Sequence, residues 1–88
     1  MKHFEIYKDQ TILITGGAGA IGSNLSRKLA ETGAAKVIIL DDLSASYKWN
    51  IPNLPNVLFV KGSITNDVDL KRVFHEKPSY IFHLAAFF

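Results

Sequence analysis

The sequence has no cysteine in its 88 residues. Disulfides, thiolate metal sites and cysteine nucleophiles are therefore excluded. No apolar stretch approaches the roughly 18 residues that a bilayer-spanning helix needs. The opening residues, Met1 to Gln10, show neither an apolar h-region nor a small-residue cleavage pattern. A soluble cytoplasmic protein with no membrane partner is the expectation. Charge of one sign is also scarce: ten Lys and Arg face eight Asp and Glu, and the basic residues are scattered from Lys2 to Lys77. That distribution leaves no electrostatic footprint for nucleic acid, and the sequence pI of about 9.0 needs only a small surplus of lysine.

What is present suits a folded interior. Hydrophobic residues make up 48% and charged residues 20%, enough for one modest core, so one domain or part of one is implied. Residues 1–10 are mixed and polar and read as a lead-in. Continuous apolar runs near 11–15 and 36–41 predict strands buried in a parallel sheet, the first on both faces, and further strands are expected near 57–61 and 79–84. Ile21, Leu25 and Leu29 recur every four residues and predict an amphipathic helix closed by Gly33. Thr65 and Asn66 are candidate caps of a second helix with Leu70, Val73 and Phe74 on its inner face, ended by Lys77-Pro78. Residues 42–56, with two prolines and several Ser and Asn, predict a long loop with room for one helical turn. The order βαβ, loop, βαβ predicts an α/β fold with a parallel sheet and flanking helices.

The segment Thr15-Gly16-Gly17-Ala18-Gly19-Ala20-Ile21-Gly22 lies between the first strand and the first helix. Two glycine registers fit: Gly17-x-Gly19-x-x-Gly22, and Thr15-Gly16-x-x-Gly19-x-x-Gly22. A dinucleotide site needs a tight turn, a close backbone approach to the pyrophosphate, and a glycine where helix meets strand. The helix N-terminus then offers free N–H groups and its positive dipole end. A glycine loop that merely turns the chain is the bland alternative. A nucleoside-triphosphate loop has the Gly17-x4-Gly22 spacing but needs Lys where this chain has Ser23.

Asp41 ends the second strand, 41 − 22 = 19 residues beyond the last glycine. A carboxylate there accepts hydrogen bonds from the adenosine ribose hydroxyls. It would repel a 2′-phosphate, so NAD is preferred over NADP. Asp42 reads equally as a loop residue facing solvent or as a secondary contact. Together these features predict the N-terminal portion of a larger, doubly wound Rossmann-type domain that binds NAD.

With Thr15-Gly16-x-x-Gly19-x-x-Gly22 and Asp41-Asp42-Leu43-Ser44 in place, the chain resembles the extended short-chain dehydrogenase/reductase family. Within it, the likeness is to nucleotide-sugar epimerases and dehydratases of the UDP-glucose 4-epimerase type. The resemblance runs from about Thr11 to the last residue. It implies pyrophosphate contact by Gly16, Gly19 and Gly22 and by the backbone of Ala20 and Ile21. Asp41 would hold the ribose, with Asp42, Leu43, Ser44 and Ser46 alongside. Gly62-Ser63-Ile64 resembles the family's Gly-Asp-Ile, which reads the adenine edge; Ser63 replaces the usual Asp, so that contact is weaker or runs through water. His83-Leu84-Ala85-Ala86 resembles the family's His-x-Ala-Ala/Gly, where small residues let the cofactor lie close; for the alanines, plain tight packing stands level with this. His83 itself reads as a packed, hydrogen-bonded residue, and Phe87 and Phe88 either shape the nicotinamide side or join the core.

The family's Tyr-x-x-x-Lys pair, where Tyr is the acid/base, is missing. Four residues beyond Tyr7, Tyr47 and Tyr80 stand Thr11, Ile51 and Leu84. No catalytic residue and no metal ligand is assigned, and the chain reads as a partial domain, residues 11–88, truncated before the catalytic pair and the substrate domain. Two functional readings remain open. One is the NAD-binding portion of an enzyme acting on a nucleotide sugar by transient hydride transfer, with a homodimer left open. The other is a noncatalytic dinucleotide-binding regulatory module.

Overall fold

The computed structural model describes residues 2–44 and 46–84. Four strands, β1 (Thr11–Thr15), β2 (Lys36–Asp41), β3 (Val57–Lys61) and β4 (Tyr80–His83), alternate with two helices, α1 (Ala20–Glu31) and α2 (Asp67–Phe74). All pairings are parallel and the spatial order is β3-β2-β1-β4. β1 therefore sits at the centre, flanked by β2 in one direction and β4 in the other. The chain reverses its direction of travel across the sheet at β1 and β4, and in such sheets ligands bind outside the carboxyl ends of the strands at that reversal.

The sheet is parallel because each connection is a crossover. Its inner strands β1 and β2 are apolar on both faces because both are covered, while Leu58 of β3 and Tyr80 and Ile81 of β4 stay exposed at the edges. Ile12, Ile14 and Val37 pack with Leu29, Ala30 and Ala34 on the α1 side. Leu13, Ile38 and Leu40 pack with Val60 and with Val73 of α2 on the other. Alternate residues of β1 and β2 thus serve opposite cores, which is why their sequence reads as an unbroken apolar run. Gly33, at φ +104°, closes α1 as expected, and Asn56 Nδ2 donates to the carbonyls of Ala30 and Ala34 at 3.0 and 2.9 Å.

Four expectations change. The lead-in is an element: a 3₁₀ helix spans Lys2–Tyr7, and Tyr7 meets Tyr80 and Phe82 edge-on, with ring centroids 4.9 and 5.7 Å apart. Ile21 is not on the inner face of α1; it is 76% exposed, and the buried positions of the helix are Gly22, Ser26, Leu29 and Ala30. Helical periodicity placed Ile21 below Leu25, but the first turn is held against the glycine turn by Gly22 and so points Ile21 outward. Phe74, at the last position of α2, is 47% exposed, leaving Val73 as the fully buried residue of that helix. Of the two candidate caps, Asn66 performs the task, its side chain accepting from the Asp69 N–H at 3.0 Å, while Thr65 pairs with Ser63. The helical turn allowed for in the 42–56 loop is present at Lys48–Asn50.

Candidate functional site at the carboxyl ends of the strands

The glycine turn is held by contacts that tolerate no side chain at two positions. A Cβ on Gly22 would lie 2.4 Å from the Gly16 carbonyl oxygen and 2.7 Å from Gly17 Cα, both backbone atoms. One on Gly17 would lie 2.6 Å from the Ile39 side chain. Gly16 has φ +76°, a left-handed conformation that glycine adopts without penalty. These three glycines are required by the fold. Gly19 differs: a Cβ there would meet only the Gly16 carbonyl oxygen, at an ordinary 3.5 Å. Its bareness serves no packing among the described residues and leaves the backbone open to close approach from outside.

Gly19 is also the N-cap of α1 and supplies no side chain to it. The first helical bond runs from Ser23 N–H to the Gly19 carbonyl at 2.8 Å. The N–H groups of the first turn, from Ala20, Ile21 and Gly22, are therefore offered without a side-chain cap, at the positive end of the helix dipole. An anion is the chemical complement of that arrangement.

Asp41 stands at the end of β2, half-buried, and its carboxylate organises the rim. Oδ2 accepts the Ala18 N–H at 3.0 Å, tying the strand end to the glycine turn. Oδ1 accepts the Leu43 N–H at 2.7 Å and the Ser46 hydroxyl at 3.0 Å. Leu43 has φ +64°, which costs a non-glycine residue about 1–2 kcal/mol; the bond to Asp41, an Asx turn, offsets it. Asp42 is exposed and closes a second such turn on the Ser44 N–H at 2.9 Å. Its carboxyl is held below the usual value by hydrogen bonds from Ser44, the hydroxyl first and the backbone second. Asn50 Nδ2 donates to the Ala18 carbonyl at 3.2 Å, so both polar groups of the Ala18 residue are taken.

The remaining predicted positions spread along the same edge of the sheet. Ser63 comes just after β3; its hydroxyl pairs with Thr65 Oγ1 at 2.8 Å and its N–H donates to Asp69 Oδ2 at 3.0 Å. Ile64 packs against the α2-side core. His83 Nδ1 and Thr15 Oγ1, register partners on β4 and β1, share a hydrogen bond at 2.7 Å. His83 is thus hydrogen-bonded as expected, yet exposed rather than packed. The Leu84 N–H donates to the Thr15 carbonyl at 2.9 Å. Ala85, Ala86, Phe87 and Phe88 lie outside the described residues.

Ala18, Asn50 and Asp69 were not singled out from sequence. Ala18 acts through its backbone, which carries no residue signal. Asn50 lies in a loop whose path only the fold determines. Asp69 was legible in principle: it stands three residues beyond the Asn66 cap, where a side chain characteristically turns back towards the helix start. Among the described residues no cluster of His, Asp or Glu has the arrangement of a metal site, and no helix is long and apolar enough to cross a membrane.

Residues 12–88 match the model of the NAD dependent epimerase/dehydratase family. The chain is 44% identical over 86 residues to a dTDP-D-glucose 4,6-dehydratase of Dictyostelium discoideum, aligning 89% of itself with 19% of that protein. An epimerase of Methanothermobacter thermautotrophicus superposes with a TM-score of 0.94 at 58% identity, covering all of this chain and 26% of the other. The Bordetella bronchiseptica enzyme WbmF, solved in complex with NAD+, superposes with a TM-score of 0.86 at 36% identity, covering 94% and 25%. The chain thus spans about a fifth to a quarter of these relatives and corresponds to their N-terminal part.

Proposed function

Since the chain belongs to the NAD-dependent epimerase/dehydratase family, we propose that it is the NAD-binding portion of an enzyme that epimerises or dehydrates a nucleotide sugar. The observation that carries the reading is the bond from the Ala18 N–H to Asp41 Oδ2. It sets an acceptor suited to ribose hydroxyls and the open N–H groups of α1 on one rim, at the carboxyl ends of parallel strands. Gly19, whose missing side chain serves no packing among the described residues, fits a backbone that a pyrophosphate approaches closely.

In this reading the N–H groups of Ala20, Ile21 and Gly22 receive the pyrophosphate at the dipole end of α1. Asp41 accepts from the ribose, with Asp42, Leu43, Ser44 and Ser46 shaping its surroundings. Ser63 and Ile64 lie on the adenine side, where a hydroxyl replaces a carboxylate and the Ser63 N–H is already engaged by Asp69. Leu84, just beyond the end of β4, lies on the cofactor side, and the resemblance assigns Ala85 and Ala86 to cofactor contact as well. NAD, when bound, supplies a reversible hydride acceptor. Residues 11–88 are then a partial domain, and the acid/base pair and the substrate-binding portion belong to the rest of the protein. The Dictyostelium, Methanothermobacter and Bordetella relatives are all enzymes, and the dTDP-D-glucose on which the first acts supports that substrate class. Nothing in the comparisons favours a regulatory module. A cytoplasmic location and a homodimer complete the reading and are checked by cell fractionation and sedimentation.

The test is calorimetric titration of the full-length protein with NAD, then addition of a panel of nucleoside-diphosphate sugars while the absorbance of reduced nicotinamide is monitored. Micromolar or tighter NAD binding with reduction by one of the sugars is expected. Failure to bind NAD at millimolar concentration would overturn the reading.

A further inference from the structure

Asp41, as the proposed ribose acceptor, is short of acceptor capacity. A carboxylate offers about four acceptor sites on its two oxygens. Three protein donors already use them: Ala18 N–H on Oδ2, and Leu43 N–H and Ser46 Oγ on Oδ1. Two ribose hydroxyls need two sites. One of the three donors must give way.

The three are not equally able to do so. The Ala18 N–H belongs to the glycine turn, fixed by the contact of Gly17 with Ile39 and of Gly22 with Gly16. The Leu43 N–H is set by a left-handed backbone that the bond itself stabilises. The Ser46 hydroxyl, in contrast, leaves Oδ1 by rotation about a single Cα–Cβ bond, with no change in the backbone. Building on the ribose assignment to Asp41, we infer that Ser46 is a placeholder in that site. Its hydroxyl and one ribose hydroxyl compete for the same acceptor position on Asp41 Oδ1, and dinucleotide binding displaces the serine. Ser46 is a positioning residue in this scheme. It keeps the carboxylate aimed between the glycine turn and the loop, and it lowers affinity for any ligand that presents two hydroxyls.

The competition has a signature that a structural effect lacks. The full-length protein and its Ser46→Ala and Ser46→Thr variants are titrated by calorimetry with NAD and with its adenosine 2′-deoxy and 3′-deoxy analogues. For NAD, Ser46→Ala binds about three- to tenfold tighter than the native protein, because no internal hydrogen bond has to be given up. The deoxy analogue that lacks the competing hydroxyl needs only the open site on Oδ2, so Ser46→Ala leaves its affinity unchanged, whereas the other analogue gains as NAD does. Ser46→Thr retains the hydroxyl and the native values. Unchanged or weakened NAD binding in Ser46→Ala would overturn the inference, and so would an equal gain for all three ligands, which would indicate a loosened loop. The ribose assignment is tested separately by Asp41→Ala. If that variant binds NAD as the native protein does, the assignment fails and the placeholder with it; if it weakens NAD while Ser46→Ala gives no gain, only the placeholder fails.

Discussion

Asp41 Oδ2 accepts the backbone N–H of Ala18 at 3.0 Å, so one carboxylate fastens the end of β2 to the glycine turn that precedes α1. The same group therefore has a duty in the fold and a proposed duty towards the cofactor. Its replacement should register in both.

Asp41→Ala removes charge-assisted bonds to the ribose worth roughly 1.5–3 kcal/mol in total, a ten- to hundredfold loss of NAD affinity. NADP should bind the native protein more weakly than NAD, because its 2′-phosphate meets a carboxylate at close range. The substitution should narrow or abolish that difference. Calorimetry with each dinucleotide checks this; equal native affinities, untouched by Asp41→Ala, would show that the carboxylate does not read the ribose.

A second expectation separates Leu29 from Ile21, two residues that share one helical stripe in the sequence. Leu29 is fully buried between α1 and the sheet, and Leu29→Ala should destabilise by about 2–5 kcal/mol, transfer loss plus cavity. Ile21 faces outward, so Ile21→Ala should stay within about 0.5 kcal/mol. Denaturant midpoints of the full-length variants decide it. A cost for Ile21 comparable to that for Leu29 would mean that the first turn of α1 is packed against something else.

That pair also marks how far the sequence could be read. The strands of the sheet centre were legible because β1 and β2 are covered on both faces, so burial alone dictates Ile12 to Ile14 and Val37 to Leu40. The glycine turn and Asp41 were legible because a sharp turn, a close approach and a strand-end carboxylate each demand a particular residue type. Periodicity failed at Ile21 and Phe74, where the ends of helices meet local constraints rather than the core. The 3₁₀ helix at Lys2–Tyr7 escaped because its docking depends on Tyr7 meeting Tyr80 and Phe82, a contact across some seventy positions of chain. Asn50 escaped for the same reason.

The ion pair between Lys36, at the start of β2, and Glu76, just beyond α2, gives a pH dependence of defined sign. The Lys36 hydrogen bond, and then its charge, hold the Glu76 carboxyl below its ordinary value of 4.5. The folded state therefore favours the ionised carboxylate more than the unfolded chain does. The contribution is fully present above pH 4.5 and is lost as pH falls through the lower folded value. Both side chains are partly exposed, so the effect is small and screened by salt. The stability difference between native protein and Glu76→Gln should be constant above about pH 5 and vanish on further acidification. A difference that grows as the pH falls would contradict the pairing.

Gly19 and Gly22 should part company when each is changed to alanine. At Gly22 the new methyl would stand 2.4 Å from the Gly16 carbonyl oxygen and 2.7 Å from Gly17 Cα. Backbone cannot step aside as a flexible side chain can, so the turn or the helix must shift, at a cost of about 1–3 kcal/mol or more. At Gly19 the methyl meets only an ordinary 3.5 Å contact, and its φ of −73° is open to any residue. Alanine there leaves stability within about 0.5 kcal/mol. Cofactor binding reverses the ranking of what is informative. Gly19→Ala should fold as the native protein does and yet bind NAD at least about tenfold more weakly, because the methyl occupies space through which the pyrophosphate reaches the backbone. Gly22→Ala loses stability and affinity together. Melting curves and calorimetric titrations on the two full-length variants separate the two effects. Native NAD affinity in a stable Gly19→Ala protein would remove the glycine turn from the cofactor site, whatever the cost at Gly22.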